Sequence, residues 1–452
     1  MTKQAWMFTS PGAHLTGALR SLVDQNAAYR TILKTVDEVA GDYGWEAVSP
    51  RLLGAAPEDL DQRPEHLWLG FYATSLVLTR ALSESGAEAD IMFGHSSGEI
   101  TALVATGSIG EADGARLLCE RYRAVTQAEV PDGAMLAVNA SVRRVTAMIE
   151  LVDEGSLTVA VDNGPRQIVV SGRVCAVETC QRLADSVGVR VTRLGIPGAY
   201  HNPMFWAASR RFAEATADIP VHSPGRPVYS PQLRRHLHTA DDVRELIAGL
   251  LVLPVMFRET LSRLYADGAE TFVEVGAGQV LSDLVSENLP AAARAVPLLP
   301  GRAAAQALPA LLASLARPEA APFPSLRASS TLPPAAARQS EPVLPAPVPG
   351  PVAARSAALE ATASPAALPS RGELVIQVRQ VFADIVQYPV DVVEPDADLE
   401  AELGVSSLKK TQAIVRLLDQ FNLPTPTADR QTFSCRTVEQ VAELLEQLAA
   451  DD

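Results

Sequence analysis

One stretch of the sequence combines residue types and spacing that suit nucleophilic catalysis. Gly94-His95-Ser96-Ser97-Gly98 matches the pattern G-x-S-x-G, in which a serine occupies a sharp turn between a strand and a helix. The apolar residues 91–93 predict a short buried strand before it, and residues 100–105 predict a helix after it. Such a turn exposes the hydroxyl, and the N–H groups of the helix point toward negative charge on an attacked carbonyl. A glycine-rich turn without a chemical role is the alternative that the motif alone leaves open.

Alternating strands and helices surround the motif and must position it. Apolar patterning predicts a strand at residues 4–9 and helices at 17–40, 65–85 and 111–127. It then predicts helices at 243–251 and 256–266 and a buried strand at 271–275, which ends at Gly276-Ala277-Gly278. Strands that alternate with helices favour a parallel sheet, so we expect an α/β fold with a hydrolase-like large subdomain.

A different rhythm begins at Gly133 and continues to about residue 197. Strands are predicted at 134–139, 157–162, 167–171 and 190–194, with helices at 142–152 and 176–187. This β-α-β-β-α-β order is typical of the ferredoxin-like split motif. The segment is therefore interpreted as a small inserted subdomain.

The last third of the chain changes composition twice. Residues 316–370 are dominated by Ala, Pro and Ser, which cannot bury enough apolar surface to fold, so a flexible linker is expected. Residues 371–452 contain seven basic and fifteen acidic residues and carry helical patterns at 373–386, 407–421 and 438–449. They predict a separate, small, acidic, all-α bundle.

Composition excludes several classes of partner. A net charge of −15 over 452 residues argues against nucleic acid and anionic membranes. No apolar run approaches the roughly 20 residues that a membrane span requires. The first residues lack a signal-peptide layout, and the four cysteines form no CxxC motif, so a cytoplasmic protein with reduced cysteines is expected.

Five further segments, taken with the serine motif, indicate a family. Gly94-His95-Ser96-Ser97-Gly98-Glu99 is similar to the GHSxGE signature of malonyl-CoA:acyl-carrier-protein transacylases and polyketide-synthase acyltransferase domains. The resemblance covers roughly residues 5–300. The supporting segments, in chain order, are Phe8-Thr9-Ser10-Pro11-Gly12-Ala13-His14, Arg121, Asn163 to Gly172, Ala199-Tyr200-His201-Asn202-Pro203-Met204, and Phe272 to Gly278.

The resemblance implies a role for each matching residue. Ser96 would be the nucleophile, and His201 would be the base that removes its proton. Arg121 would hold the free carboxylate of a malonyl-type group through a bidentate, charge-assisted pair. The Ser97 N–H would bind the oxyanion, and Tyr200 at the edge of the cleft would help to exclude water. A structural histidine and a solvated arginine are the alternatives, and His95 is expected to pack or hydrogen-bond locally.

Three positions depart from the family pattern. Pro11 stands where the family has a glutamine whose N–H is implied to help form the oxyanion hole, and proline has no N–H. Loss of such a donor costs about 10²- to 10³-fold in rate, unless Gly12 or His14 compensates. Trp68 and Leu250 replace two further glutamines near the pocket. We therefore expect a drier and differently shaped pocket.

The tail resembles an acyl carrier protein. Residues 396–409 are similar to the carrier pattern that ends Leu-Gly-x-Asp-Ser-Leu, which places the phosphopantetheine serine at Ser407. Ser406 replaces the preceding aspartate, and serine can also cap a helix. The resemblance implies covalent 4′-phosphopantetheine on Ser407, added by a phosphopantetheinyl transferase. The alternative is an ordinary helix start in a degenerate carrier fold.

These patterns predict an acyltransferase domain at residues 1–315 with a small subdomain at about 133–197, a linker at 316–370 and a carrier-like domain at 371–452. The expected activity is transfer of a malonyl or related carboxylated group from acyl-CoA, through acyl-Ser96, to a carrier thiol in cis or in trans. Such a component would serve polyketide or fatty-acid-type biosynthesis and would meet polyketide-synthase partners. A thioesterase-like editor and a non-catalytic docking scaffold are the two alternatives.

Overall fold

The structure is a computed structural model. The chain forms two compact units, residues 1–328 and 329–452. The described residues are 3–10, 17–54, 64–127, 132–196, 198–301, 304–317, 369–386, 390, 393–396, 399, 413–414, 416–418, 420–421, 423 and 435–450.

Strands and helices alternate through the described part of the first unit. The strands are β1 (Lys3–Phe8), β2 (Ile91–Gly94), β3 (Gly133–Val138), β4 (Thr158–Gly164), β5 (Gln167–Arg173), β6 (Val191–Arg193), β7 (Tyr229–Ser230), β8 (Arg235–His236), β9 (Ala269–Ala277) and β10 (Arg294–Leu299). The helices are α1 (Arg20–Gln25), α2 (Ala27–Asp42), α3 (Ser49–Leu52), α4 (Pro64–Glu84), α5 (Gly98–Ala105), α6 (Glu111–Gln127), α7 (Val142–Val152), α8 (Val174–Ser186), α9 (Trp206–Ala215), α10 (Ala240–Gly249), α11 (Phe257–Ala266), α12 (Val280–Asn288) and α13 (Ala304–Leu315). A 3₁₀ turn, Pro203–Phe205, precedes α9.

The large subdomain is built on a parallel sheet of order β10-β9-β1-β2, as the sequence predicts. β1, β2 and β9 are buried along nearly their whole length, as is usual for parallel strands covered on both faces, and β2 and residues 5–8 of β1 are apolar runs. Phe8 pairs with Gly94 on one side and with Val275 on the other. The carboxyl ends of β1, β2 and β9 therefore lie side by side, and the serine turn follows β2 at this edge.

The small subdomain is an antiparallel sheet of order β4-β5-β3-β6 with α7 and α8 packed against it. This topology confirms the ferredoxin-like prediction. Alternation along β3 directs Leu136 and Val138 into the core beneath the helices, whereas Met135 and Ala137 line a cavity on the opposite face. The sheet thus contributes an apolar wall to the cleft between the subdomains.

Polar contacts fix the small subdomain against the large one. Arg258 of α11 forms a bidentate pair with the buried carboxylate of Asp162, with Nη2 to Oδ2 at 2.7 Å and Nε to Oδ1 at 3.1 Å. The Asp162 N–H donates to the carbonyl of Val255 at 2.9 Å. Asn288 Nδ2 donates to the carbonyl of Asn163 at 2.8 Å. The walls of the cleft are consequently held in one relative position.

The structure differs from the sequence prediction in several elements. The predicted helix at 17–40 is two helices, because Asn26 is extended and its side chain accepts the N–H of Ala28 at 2.8 Å as a cap. No element was predicted for α3, α9, β7, β8, α12, β10 or α13. The helices α9 and α12 are short and each buries only two or three apolar residues, so the helical period is weakly marked in their sequences.

The regular secondary structure described in the second unit is helical, which agrees with the predicted all-α bundle. It contains helices Arg371–Val386 and Val438–Ala450 and a helical stretch among the described residues between 413 and 421. Their shared apolar core includes Leu374, Phe382, Ile414, Leu417, Val441 and Leu445. In the part of the chain that the structure describes, no helix is long and apolar enough to cross a membrane.

Candidate active site

The serine turn adopts the geometry that its glycines allow. Ser96 has a left-handed backbone, with φ of 55°, a conformation that non-glycine residues adopt at an energetic cost. A Cβ atom on Gly94 would lie 2.1 Å from the backbone N of Glu99, and one on Gly98 would lie 2.1 Å from the carbonyl of Phe8. Both glycines are therefore required for the turn to pack between β1 and α5.

The structure brings Ser96 and His201 together, and we refer to them below as the reacting pair. Ser96 Oγ lies 2.7 Å from His201 Nε2, and His201 Nδ1 lies 2.8 Å from the carbonyl oxygen of Leu253. Because a carbonyl only accepts, Nδ1 carries the proton and Nε2 is free to accept from the serine. The third member of this arrangement is a main-chain carbonyl rather than a carboxylate.

The backbone and surroundings of His201 keep its imidazole neutral. Its N–H donates to the carbonyl of Leu251 at 2.8 Å, and its φ of 60° directs the side chain toward Ser96. Burial, followed by the positive charge of Arg121, lowers the pKa of His201 to about 3. At neutral pH the imidazole is therefore a base that can take the serine proton.

Gln232, in the β7–β8 loop, also contacts this arrangement and was not predicted. Its Nε2 lies 2.8 Å from the Leu253 carbonyl and 3.3 Å from His201 Nδ1. Its backbone N–H donates to Glu99 Oε1 at 3.3 Å. Leu250, expected near the pocket, is not among the residues that line the cavity; its carbonyl lies 3.5 Å from Gln232 Nε2. No sequence motif marks a single glutamine in a short hairpin loop.

Ser96 opens on a cavity of about 200 Å³ between the subdomains. Polar lining comes mainly from the large subdomain. Apolar lining comes from Met135, Ala137, Val161, Val169, Leu194 and Ile196 of the small subdomain and from Val280, Leu281 and Leu284 of α12. An apolar cleft with a few convergent polar groups is the usual form of a small-molecule site.

Arg121 lies in a corner formed by two aromatic rings, and we call this group the aromatic corner. The guanidinium carbon is 4.5 Å from the ring centroids of both Trp68 and Tyr200. The two centroids are 6.0 Å apart, well under twice 4.5 Å, so the rings do not lie on opposite sides of the guanidinium. All three residues line the cavity and are buried.

The charge of Arg121 has no counter-ion among the described residues. The residue is 2% exposed, no ion pair with a carboxylate of the described residues is formed, and Nε has no hydrogen-bond partner among them. Burial lowers the pKa of the guanidinium, although arginine stays charged in proteins. A buried, uncompensated cation is costly unless an anion joins it. The solvated-helix alternative for Arg121 does not fit this burial.

His95 and Asn202 hold the site together. His95 Nε2 lies 2.8 Å from Asn163 Oδ1 of the small subdomain, so its contact is longer in range than the predicted local one. Asn202 Nδ2 donates to the carbonyls of Ser156 and Ser171 at 2.8 and 2.9 Å, and Asn202 does not line the cavity. These contacts anchor the segment that carries His201 to the small sheet.

Several predicted site residues lie outside the described residues, namely Pro11, Gly12, His14, Ser406 and Ser407. Ser97 lies at the amino end of α5. The N–H groups of the next three residues donate to the carbonyls of residues 95–97, whereas the Ser97 N–H makes no backbone hydrogen bond within the described residues.

Comparison with protein families agrees with this fold and site. Residues 5–317 match the acyl transferase domain family, and residues 377–445 match the phosphopantetheine attachment site family. The chain belongs to the acyltransferase family and is an acyltransferase fused to a carrier-type domain that bears covalent phosphopantetheine.

Individual relatives sharpen this classification. The chain is 29% identical over 299 residues to the malonyl CoA-acyl carrier protein transacylase of Bacillus subtilis, covering 64% of this chain and 90% of the relative. It is 31% identical over 270 residues to polyketide synthase GfsA of Streptomyces halstedii, covering 58% of this chain but only 4% of the synthase. The chain thus spans most of the transacylase and a small part of the synthase.

Solved structures give the same result. The malonyl-CoA:acyl carrier protein transacylase of Xanthomonas oryzae matches with a TM-score of 0.62 and 27% identity, over 69% of this chain and 98% of that one. The acyltransferase domain from the second module of the salinomycin polyketide synthase matches with a TM-score of 0.60 and 26% identity, over 70% and 74%. These matches confirm the predicted fold class of the first unit.

Proposed function

We propose that this chain transfers a malonyl-type acyl group from coenzyme A, through an ester on Ser96, to a carrier thiol in polyketide or fatty-acid biosynthesis. The relatives that carry malonyl transacylase in their names support the reaction class. The proposed substrate class rests on Arg121, a buried cation that has no counter-ion within the described part of the chain and lines the same cavity as the reacting pair.

The chemistry follows from the neutral imidazole of His201. Ser96 Oγ attacks the thioester carbonyl while His201 Nε2 takes its proton, and the Ser97 N–H stabilises the oxyanion. Collapse of this intermediate breaks the carbon–sulfur bond, and the proton on His201 passes to the departing thiolate. The second half-reaction runs these steps in reverse from an incoming thiol, so the kinetics are ping-pong.

Arg121 gives this reaction its selectivity. A guanidinium binds a carboxylate through two parallel N–H···O bonds, and the surrounding aromatic rings strengthen the pair by excluding water. A malonyl group supplies that carboxylate, whereas an acetyl group leaves the cation unpaired. The site therefore favours acyl groups that carry a free carboxylate.

The acceptor is a phosphopantetheine thiol, and we propose Ser407 as its attachment residue and a phosphopantetheinyl transferase as the modifying partner. The bound arm supplies a thiol that accepts the acyl group. A carrier domain in the same chain has a high effective concentration for Ser96. Loading of this carrier in cis and loading of a separate carrier in trans are both part of the proposal.

Intact-mass spectrometry with malonyl-CoA and acetyl-CoA tests the substrate class. Arg121→Ala should reduce malonylation of Ser96 by about 10²- to 10³-fold, because a buried carboxylate loses its partner. The matched control is Arg116→Ala, on the same helix but paired with Asp113 and Asp218 near the surface, which should change little. Equal malonylation by the two variants would refute the role of Arg121.

A second arm tests the acceptor with protein coexpressed with a phosphopantetheinyl transferase. An acyl mass on the carrier that disappears in both Ser96→Ala and Ser407→Ala establishes loading of the chain's own carrier, and mixing the two variants shows whether loading also occurs in trans. Free malonate that forms faster than acyl-carrier would instead indicate a thioesterase. A protein that takes up no acyl group would indicate a docking scaffold.

A further inference from the structure

Gln232 places a second hydrogen-bond donor behind the reacting pair. Its side chain is buried, with 4% of the residue exposed, and the amide nitrogen lies 2.8 Å from the Leu253 carbonyl. Its Oε1 has no hydrogen-bond partner among the described residues. What distinguishes this residue is its acceptor, because the same Leu253 carbonyl is also the partner of His201 Nδ1.

The orientation of the amide is fixed by its neighbours. The Leu253 oxygen only accepts, so the amide must present nitrogen to it. His201 Nδ1 faces the same oxygen at 2.8 Å and must also donate. Two N–H groups thus converge on the two lone pairs of one carbonyl. Neither group can give its proton to the other, and the proton of His201 stays on Nδ1.

We propose that Gln232 is a positioning residue for acyl transfer: it holds the Leu253 carbonyl on His201 Nδ1, so that Nε2 is kept as the acceptor toward Ser96. The residue does not line the cavity and acts only through Leu253 and His201. This role rests on one part of the proposed function, namely that His201 takes the proton of Ser96 during acylation. It does not depend on which acyl group is transferred.

The charged and titratable groups around this arrangement predict the effect of a carboxylate. Arg121 and His95 both disfavour protonation of His201, and Glu99 contacts the Gln232 N–H. Gln232→Glu would bring a carboxylate to within about 3.3 Å of Nδ1, the present distance of the amide nitrogen. It would also withdraw the donor from Leu253. In this variant, His201 should therefore become protonated at a higher pH than in the native protein.

The test is the pH dependence of Ser96 labelling by a fluorophosphonate, measured by intact mass on the full chain. This probe needs neither malonyl-CoA nor a carrier, so failure of malonylation and failure of this proposal are distinguishable. Gln232→Met, which keeps the size and removes the donor, should slow labelling about tenfold. Gln232→Glu should move the acidic limb of the profile upward by about one pH unit or more.

Gln4→Met is the matched control. Gln4 is a buried glutamine whose Nε2 also donates to a main-chain carbonyl, that of Leu315 at 3.0 Å, and whose Oε1 is likewise unpaired among the described residues. It lies outside the cavity and should label at the native rate. If Gln232→Met labels as fast as Gln4→Met, the proposal is overturned. If Gln232→Met does not fold, the acidic limb of Gln232→Glu decides, and an unmoved limb overturns the proposal.

Discussion

The reacting pair and the aromatic corner line one cavity, yet they differ in whether their polar atoms have partners within the protein. Ser96 Oγ, His201 Nε2 and His201 Nδ1 all have partners within the protein. The guanidinium of Arg121 has aromatic neighbours but no counter-ion among the described residues. Polar groups that are hydrogen-bonded within the protein hold a fixed geometry, whereas a buried charge without a counter-ion is suited to bind a ligand of opposite charge.

The two regions also differ in whether backbone or side-chain contacts determine their geometry. The reacting pair depends on backbone: two left-handed residues and a main-chain carbonyl set its distances. Side-chain packing from helix α4 and the segment before the 3₁₀ turn supports Arg121 instead. Substitution should therefore stop the chemistry in the first region and alter the choice of substrate in the second.

Removal of the base should have the largest effect. His201→Ala leaves Ser96 without a proton acceptor, and we expect acylation to slow by about 10⁴-fold or more. The acylation rate can be followed by intact mass with malonyl-CoA. His222→Ala, an exposed histidine outside the cavity, is the control. A His201→Ala enzyme that retains a tenth of the native rate would break the comparison, because Ser96 would then have another base.

Loss of one ring should have a smaller and selective effect. A desolvated cation–π contact contributes about 2 kcal/mol, so Trp68→Leu should lower kcat/KM for malonyl-CoA by about 30-fold. The slow acylation by acetyl-CoA should change little. Trp45→Leu, in a partly buried aromatic contact with Tyr122 away from the cavity, is the control. If Trp68→Leu slows both substrates equally, the ring contributes packing rather than recognition of the carboxylate.

The sequence was sufficient to predict the fold class and to nominate Ser96, His201 and Arg121. The serine turn is local in the chain, because a strand, two glycines and a helix determine it together. The strand alternation and the β-α-β-β-α-β order likewise follow from short-range patterns. Pairing of Ser96 with His201 spans more than a hundred residues and was available only through the resemblance.

The remaining parts of the site depend on contacts without a residue signature. The Leu253 carbonyl is main chain, so any side chain at that position leaves it unchanged. Gln232 and Asn202 act through hydrogen bonds to backbone that only the folded chain brings near. The prediction of one long helix at residues 17–40 was wrong for a simpler reason, since the capping side chain of Asn26 interrupts a continuous helical pattern.

Glu99 tests whether the surroundings of the reacting pair contain a buried charge, as the aromatic corner does. Its carboxyl group lies beneath the reacting pair and can be neutral when buried. Burial raises the pKa of Glu99 to about 8 from its ordinary value of 4.5. Between these values the folded protein keeps a proton that the unfolded chain releases. The free energy of unfolding therefore falls as pH rises from about 4.5 to 8.

Glu99→Gln should remove this pH dependence while leaving catalysis nearly intact. The amide oxygen can still accept the N–H of Gln232, so Ser96 labelling should stay within about threefold of native. Denaturant unfolding between pH 5 and 8 should show a flatter stability profile for the variant than for the native protein. Glu38→Gln, an exposed residue that pairs with Lys34, controls for general charge and should keep the native slope. Parallel slopes for Glu99→Gln and the native protein would mean that Glu99 is ionised in the folded state. The reacting pair would then contain a buried charge of its own, and its contrast with the aromatic corner would be one of pairing rather than of charge.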